Sequence, residues 1–354
     1  MDEIFDSVRK WLSAGKSAAL VTVISRQGSA PREVGAKMAA TSDMQIVGSV
    51  SSGCVEGAAA EAAVEAMQSG QIAVIDYGIS DDLAWSVGLT CGGQIRVLVQ
   101  PVVGESNHGL NSRILDEIAG QKLAGRTFSS VTALAGEMRG EMCLLSGGAV
   151  LFPDEKAPAW ITHQLLEKTR DLEEKRESGV FQIGEVEYFT DVYAPPERLL
   201  MVGAVHVAIP LAQMAKLLGY QVIVIDPRGV FATKERFPMV DMLVKKWPTD
   251  GLKKVQFSRE DYLVLLSHDD KLDLPALEMA LETKPKYIGM LSSRTSRDER
   301  FEKMAADGYA PEDFKAIRSP VGLNIGGKSA EEVALSIMAE ISAVKNNKLP
   351  VNQP

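Results

Sequence analysis

The chain has 354 residues, 45% of them hydrophobic and 24% charged, with a formal net charge of −9. That length predicts two domains with ordinary cores, and the acidic balance, with no basic run long enough to track a phosphate backbone, argues against nucleic acid as a partner. Three cysteines, Cys54, Cys91 and Cys143, are too few for a disulfide framework and point to a reducing compartment. The opening MDEIFDSVRKWLSAG has no basic stretch followed by an apolar one, so no secretory signal is read. It predicts instead a helix with Ile4, Phe5, Val8, Trp11 and Leu12 on one face. SAALVTVIS is a strand, GSAPREVGAKMAAT a loop running into a strand, and QIVGSVSS the next strand. CVEGAAAEAAVEAMQSG is an alanine-rich helix that Gly70 should end. QIAVIDYG and QIRVLVQPV complete an α/β unit, and between them lies a long polar connection, ISDDLAWSVGLTCGG.

From His108 to Tyr193 the pattern is helix, two strands, a charged helix and a strand. APPE, Ala194 to Glu197, reads as a stiff connector. It divides the chain into an N-terminal α/β domain with glycine and cysteine loops, residues 1–194, and a C-terminal domain, residues 195–354. In the second domain short apolar runs (RLLMVG, QVIVID, DMLVKKW, YLVLLS, KYIGML) alternate with helical stretches. That rhythm predicts a Rossmann-like, doubly wound parallel sheet. Leu199 to Ile225 is apolar enough to suggest a membrane span, but Gln213, Lys216, Gly219 and Gln221 break it, so a cytoplasmic protein is expected. Ser329 followed by Glu332 predicts a capping box for the last helix. No internal repeat stands out.

Two groups of residues suggest chemistry. In the second domain, Gly203 and an acid 23 residues later, Asp226, have the spacing of a dinucleotide-binding turn and its ribose-binding carboxylate. The middle glycine of that turn is replaced by Val205, whose side chain occupies the space a pyrophosphate needs, so weak or absent binding of NAD(P) and FAD is predicted. His206, Asp226 and His268, at predicted strand ends, are candidates to face one crevice. In the first domain, RQGSAPREVGAKM, GSVSSGCVEGAA and VGLTCGGQIRV each set glycines beside polar donors, a pattern that builds concave anion sites. Arg32 and Lys37 would add positive charge, and Gly53 precedes Cys54 at the start of the alanine-rich helix, where a thiolate is favoured but Glu56 opposes it. Cys91, followed by Gly92 and Gly93, is placed for a thiol to meet a large polar ligand, whereas Cys143 looks like strand packing.

GSAPREVGAKM, GSVSSGCVEG, GLTCGGQIRVLVQP, RLLMVGAVHVA, VIDPR, SHDD and SPVGLNIGGKSAEEVALSIMAEI resemble the XdhC/CoxI family, the accessory factors of xanthine dehydrogenase and related molybdenum hydroxylases. The resemblance runs from about Gly28 to Ala343 and is weakest between Gly104 and Tyr193. It implies a chaperone that binds molybdenum cofactor, supports its sulfuration with a cysteine desulfurase, and inserts it into the apo-hydroxylase. It also implies that Cys91 is the cofactor-linked, metal-facing cysteine. A soft thiolate suits molybdenum or sulfur transfer, and glycine amides with Arg32 or Lys37 suit the phosphate. Where the family has Gly-Ala-Gly-His, this chain reads Gly203-Ala204-Val205-His206; Ser292 and Asn324 also depart from the family pattern. The rival readings are an NAD(P)- or FAD-dependent oxidoreductase and a cofactor-free adaptor that recruits the desulfurase. An open sheet edge predicts a homodimer.

Overall fold

The computed structural model describes residues 2–30, 32–78, 93–102, 109–153 and 157–348. The chain divides into two compact units, Met1–Pro195 and Pro196–Pro354.

The first unit begins with α1 (Asp2–Ser13), β1 (Ala18–Gln27), β2 (Lys37–Thr41), β3 (Ile46–Gly48), α2 (Glu56–Ser69), β4 (Ala73–Tyr77) and β5 (Gln94–Pro101). It continues with α3 (Ser112–Leu123), β6 (Phe128–Ala133), β7 (Met142–Ser146), β8 (Ala149–Phe152), α4 (His163–Lys175), β9 (Gly179–Ile183) and β10 (Val186–Tyr193). The second series repeats the first, element for element. The strands form two antiparallel sheets of identical order, β3-β2-β1-β5-β4 and β8-β7-β6-β10-β9. The unit is therefore a tandem repeat, contrary to the expectation from sequence. The only clear trace in the residues is AGKSAALVT (Ala14–Thr22) against AGRTFSSVT (Ala124–Thr132).

Strand alternation explains the packing. In β1, Ala19, Val21 and Val23 face a core beneath α2, made close-packed by Ala59, Ala60, Ala63 and Ala66. Their counterparts in β6, Val131 and Ala133, face a core beneath α4. The opposite faces of the two sheets share cores between the halves. Ile4, Phe5 and Val8 of α1 meet Ile114, Leu115 and Ile118 of α3, and Ile24 and Leu98 meet their counterparts Leu134 and Phe189.

The second unit contains β11 (Arg198–Val202), α5 (Ala208–Leu217), β12 (Gln221–Ile225), β13 (Met242–Val244), α6 (Pro248–Lys254), β14 (Tyr262–Leu265), α7 (Asp270–Thr283), β15 (Tyr287–Met290), α8 (Arg294–Ala306), β16 (Ile317–Arg318) and α9 (Ala330–Lys345). Its sheet order, β13-β12-β11-β14-β15-β16, is parallel throughout and is the Rossmann order. The predicted capping box is formed: Ser329 accepts from the Glu332 N–H, and the Glu332 carboxylate accepts from Ser329 N–H. Among the described residues no helix is long and apolar enough to cross a membrane.

Candidate functional site

The glycine-rich stretches of the first unit emerge at one end of its first sheet. Gln27, the last residue of β1, lies opposite Gln94 at the start of β5, and Tyr77, the end of β4, lies opposite Ile95. Gly48, the end of β3, lies opposite Met38 at the start of β2. The loop after β1, the loop after β3 and both ends of the β4–β5 connection thus share one edge. Ala30, Val50, Val55 and Ile95 are buried in a single core there, with Cys54 and Tyr77 partly buried against it.

Gly93 shows how tightly two of these stretches meet. A Cβ at this position would lie 2.6 Å from Ala30 N and 2.9 Å from Ser29 C, so only glycine fits. Cys91 and Gly92 lie outside the described residues. The second copy of the repeat replaces this arrangement: the connection of residues 78–93 between β4 and β5 corresponds there to the Gly184–Glu185 turn between β9 and β10.

The loop before α2 is organised by Glu56. Its Oε1 accepts from Ser49 Oγ at 2.6 Å, Val50 N at 3.2 Å and Ser51 N at 2.9 Å; its Oε2 accepts from Ser51 Oγ at 2.6 Å and Gly53 N at 2.8 Å. Burial would push this carboxyl up, but the Ser49 and Ser51 hydroxyls and backbone N–H groups outweigh that and hold it at about 2. The Glu56 carboxylate therefore fixes the loop, a role its spacing does not reveal. Ser51 Oγ also accepts from Cys54 N at 3.0 Å and Val55 N at 2.9 Å, which fixes the half-buried Cys54 one residue before the helix cap. Gly53 has φ 117° and Gly57 lies in the first turn of α2; a Cβ on either would meet open space. Arg32 is exposed on the loop after β1.

Lys37 is not available at this surface. Its side chain is 1% exposed, and Nζ lies 2.5 Å from Asp191 Oδ2 and donates to Gly35 O at 3.1 Å. Its expected place in an anion site is corrected to an interior ion pair, because a buried ammonium requires an internal partner.

In the second unit, Gly203 (φ 104°) ends β11 with its Cα turned against Ser267, where a Cβ would be 2.8 Å from Ser267 N. Ala204 N donates to Asp226 Oδ2 at 2.7 Å. Gly203, Asp226 and Ser267 thus meet where the strand order reverses between β11 and β14, and His206 and His268 are exposed on the adjoining turns. His268 holds φ 58°. Asp226 does not present a free carboxylate to a ribose. It is fully buried: Oδ1 accepts from Arg228 N and Nε, each at 2.9 Å, and Oδ2 accepts from Arg228 Nη2 at 2.7 Å besides Ala204 N. Burial would raise its pKa, but these donors hold it below the usual carboxylate value. Val205 is half-buried and packs on the core beneath α5. Among the described residues no group of three or more His, Cys, Asp or Glu side chains could hold a metal ion.

Two family models match the chain, the XdhC Rossmann domain at residues 199–341 and the XdhC and CoxI family at residues 11–78, together more than half of its length. It is 28% identical over 333 residues to a probable xanthine dehydrogenase subunit of Bacillus subtilis, covering 92% of each chain. It is 28% identical over 340 residues to the molybdenum cofactor insertion chaperone PaoD of Escherichia coli, covering 94% of this chain and 85% of PaoD. A crystal structure described as a xanthine dehydrogenase from Bacillus halodurans matches with a TM-score of 0.74 and 26% identity, covering 99% of this chain and 98% of the other. The chain belongs to the XdhC/CoxI family.

Proposed function

We propose that this protein is an accessory chaperone that binds molybdenum cofactor as cargo, holds it during sulfuration, and inserts it into a xanthine dehydrogenase-type molybdenum hydroxylase. The name of the PaoD relative supports the cargo, and the name of the Bacillus subtilis relative supports the client. The observation that carries the reading is the convergence of the glycine loops at one end of the first sheet, closed by the backbone contact of Gly93 with Ala30. The repeated half keeps the scaffold and replaces the longest of these connections by a tight turn, which favours a functional over a structural reason for that connection.

The residues present suit such a cargo. Gly53 and Gly57 leave open space beside Cys54, a soft sulfur donor. Exposed Arg32, with glycine-flanked amides, is our choice for the terminal phosphate. Cys91 is our choice for the thiol that meets the metal or its sulfido ligand. Lys37 has no part in this contact. The cysteine desulfurase is the proposed sulfur source, the cytoplasm the proposed place of action, and a homodimer the proposed assembly. The test is transfer. Protein loaded anaerobically with molybdenum cofactor should activate apo-hydroxylase faster and further than an equal amount of free cofactor. Equal activation by free cofactor would contradict the chaperone role.

An oxidoreductase using NAD(P) or FAD has less support. The carboxylate it would need, Asp226, already accepts four hydrogen bonds from Ala204 and Arg228.

A further inference from the structure

The repeat in the first unit supplies an internal control for its buried ion pair. Lys37 lies opposite Thr22 in the first sheet, and Met142 lies opposite Thr132 in the second. Asp191 lies opposite Ser130, and Gln100 lies opposite Leu20. Aligning Ala14–Thr22 with Ala124–Thr132 makes Lys37 the counterpart of Met142 and Asp191 the counterpart of Gln100. The contacts obey the same symmetry. Lys37 meets Asp191 across the halves, and Gln100 Nε2 lies 3.9 Å from Met142 Sδ.

The correspondence extends outward. Gly35 (φ 87°) donates to Val23 O, and Gly140 (φ 90°) donates to Ala133 O, the counterpart of Val23. Beside Gly35 stands Ser178, the residue before β9; beside Gly140 stands Ile72, the residue before β4. Ser178 Oγ donates to Asp191 Oδ1 at 3.2 Å and accepts from Val192 N at 2.9 Å. The counterpart of Val192 is Pro101, which has no N–H to satisfy. One copy of the fold thus closes this position with Ile72, Gln100 and Met142, and the other with Ser178, Asp191 and Lys37. The fold does not require the charges.

A buried ion pair is no general source of stability, since desolvation offsets its attraction. Its location gives it another use. Lys37 is the first residue after the loop that carries Arg32, its Nζ bonds Gly35 O, and Asp191 and Ser178 stand beside Gly35, each 3.3 Å from where a Cβ there would lie. We infer that the Lys37–Asp191 pair is a positioning device by which the second half of the unit fixes the Gly28–Gly35 loop for the incoming cofactor. The consequence for cargo rests on the proposed function; the consequence for the loop does not.

The test writes the neutral counterpart into the charged site, Lys37→Met with Asp191→Gln. The double variant should fold and melt as high as the native protein or higher. Its Gly35 and Ala36 amides, which close the loop through Val23 O and Glu33 O, should exchange with deuterium about tenfold faster, because local opening sets exchange. Molybdenum cofactor retention should fall in parallel. Amide exchange is read without cargo, so it decides the positioning role even if the native protein retains no cofactor. A variant that fails to fold, or melts well below native, would make the pair a stability element and overturn the inference. So would native-like exchange at Gly35 and Ala36.

Discussion

Arg96 and Glu187 hold each other in a two-pronged ion pair, Nη1 to Oε1 at 2.6 Å and Nη2 to Oε2 at 2.7 Å, and they occupy the same position in the two copies of the repeat. A position that contacts its own counterpart lies on the axis relating the halves, so opposite charges there join the copies at one point. Arg96→Ala should cost about 1 kcal/mol, because the pair is two-pronged but partly open to solvent. Exchanging the charges, Arg96→Glu with Glu187→Arg, should restore most of the loss. Urea unfolding of the native protein and both variants checks this, and a swap no better than the single change would refute the pairing.

Glu56 gives the acid behaviour of the site. Its carboxyl is held at about 2 against an ordinary value of 4.5. A depressed folded pKa contributes stability that is present above the unfolded value and is lost as pH falls through the folded one. Glu56→Gln should therefore lower stability at pH 6, and the deficit should shrink between about pH 4.5 and 2. Parallel unfolding curves at pH 6 and pH 3 measure it. A deficit independent of pH would mean that the charge does not hold the loop.

Much of the architecture is legible in the residues, and the failures have physical causes. The short apolar runs after Glu197 give the Rossmann unit because buried parallel strands are continuously apolar. Gly70 ends α2 in the left-handed conformation (φ 68°) that glycine favours. The repeat is hidden because core positions ask only for apolar character: Phe5 and Leu115, or Leu98 and Phe189, fill equivalent places without identity. Lys37 reads as a surface cation because its partner lies 154 positions away. Asp226 has the spacing of a ribose ligand, but spacing does not show that Arg228 and Ala204 have taken its oxygens.

The second unit should accordingly give no heat with NAD(H), NADP(H) or FAD in calorimetric titration. Val205→Gly opens the turn but leaves Asp226 saturated, so it alone should not create a dinucleotide site. Asp226→Ala should cost about 2–3 kcal/mol, because it leaves Arg228 and the Ala204 N–H without their acceptor. Tight binding of any dinucleotide by the native protein would overturn this reading of the crevice.

Gly93→Ala puts a methyl group against the Ala30 backbone and should cost about 1–3 kcal/mol through forced separation of the two loops. Gly57→Ala, which meets open space in a helix, should be neutral or slightly stabilising. Thermal melts of both distinguish the two environments.

The homodimer proposal has one structural support, exposed Ile46 in the edge strand β3 with exposed Met44 in the turn before it. Light scattering at micromolar concentration should give twice the chain mass, and Ile46→Lys should halve it. A native monomer would contradict the assembly.

The proposed chaperone role requires that the first unit hold molybdenum cofactor. Purified protein mixed anaerobically with the cofactor and passed through gel filtration should carry molybdenum and pterin in near-equal amounts with the protein peak, and Cys91→Ala should lose them while remaining folded. A protein peak free of both metal and pterin, or full retention by Cys91→Ala, would contradict the account.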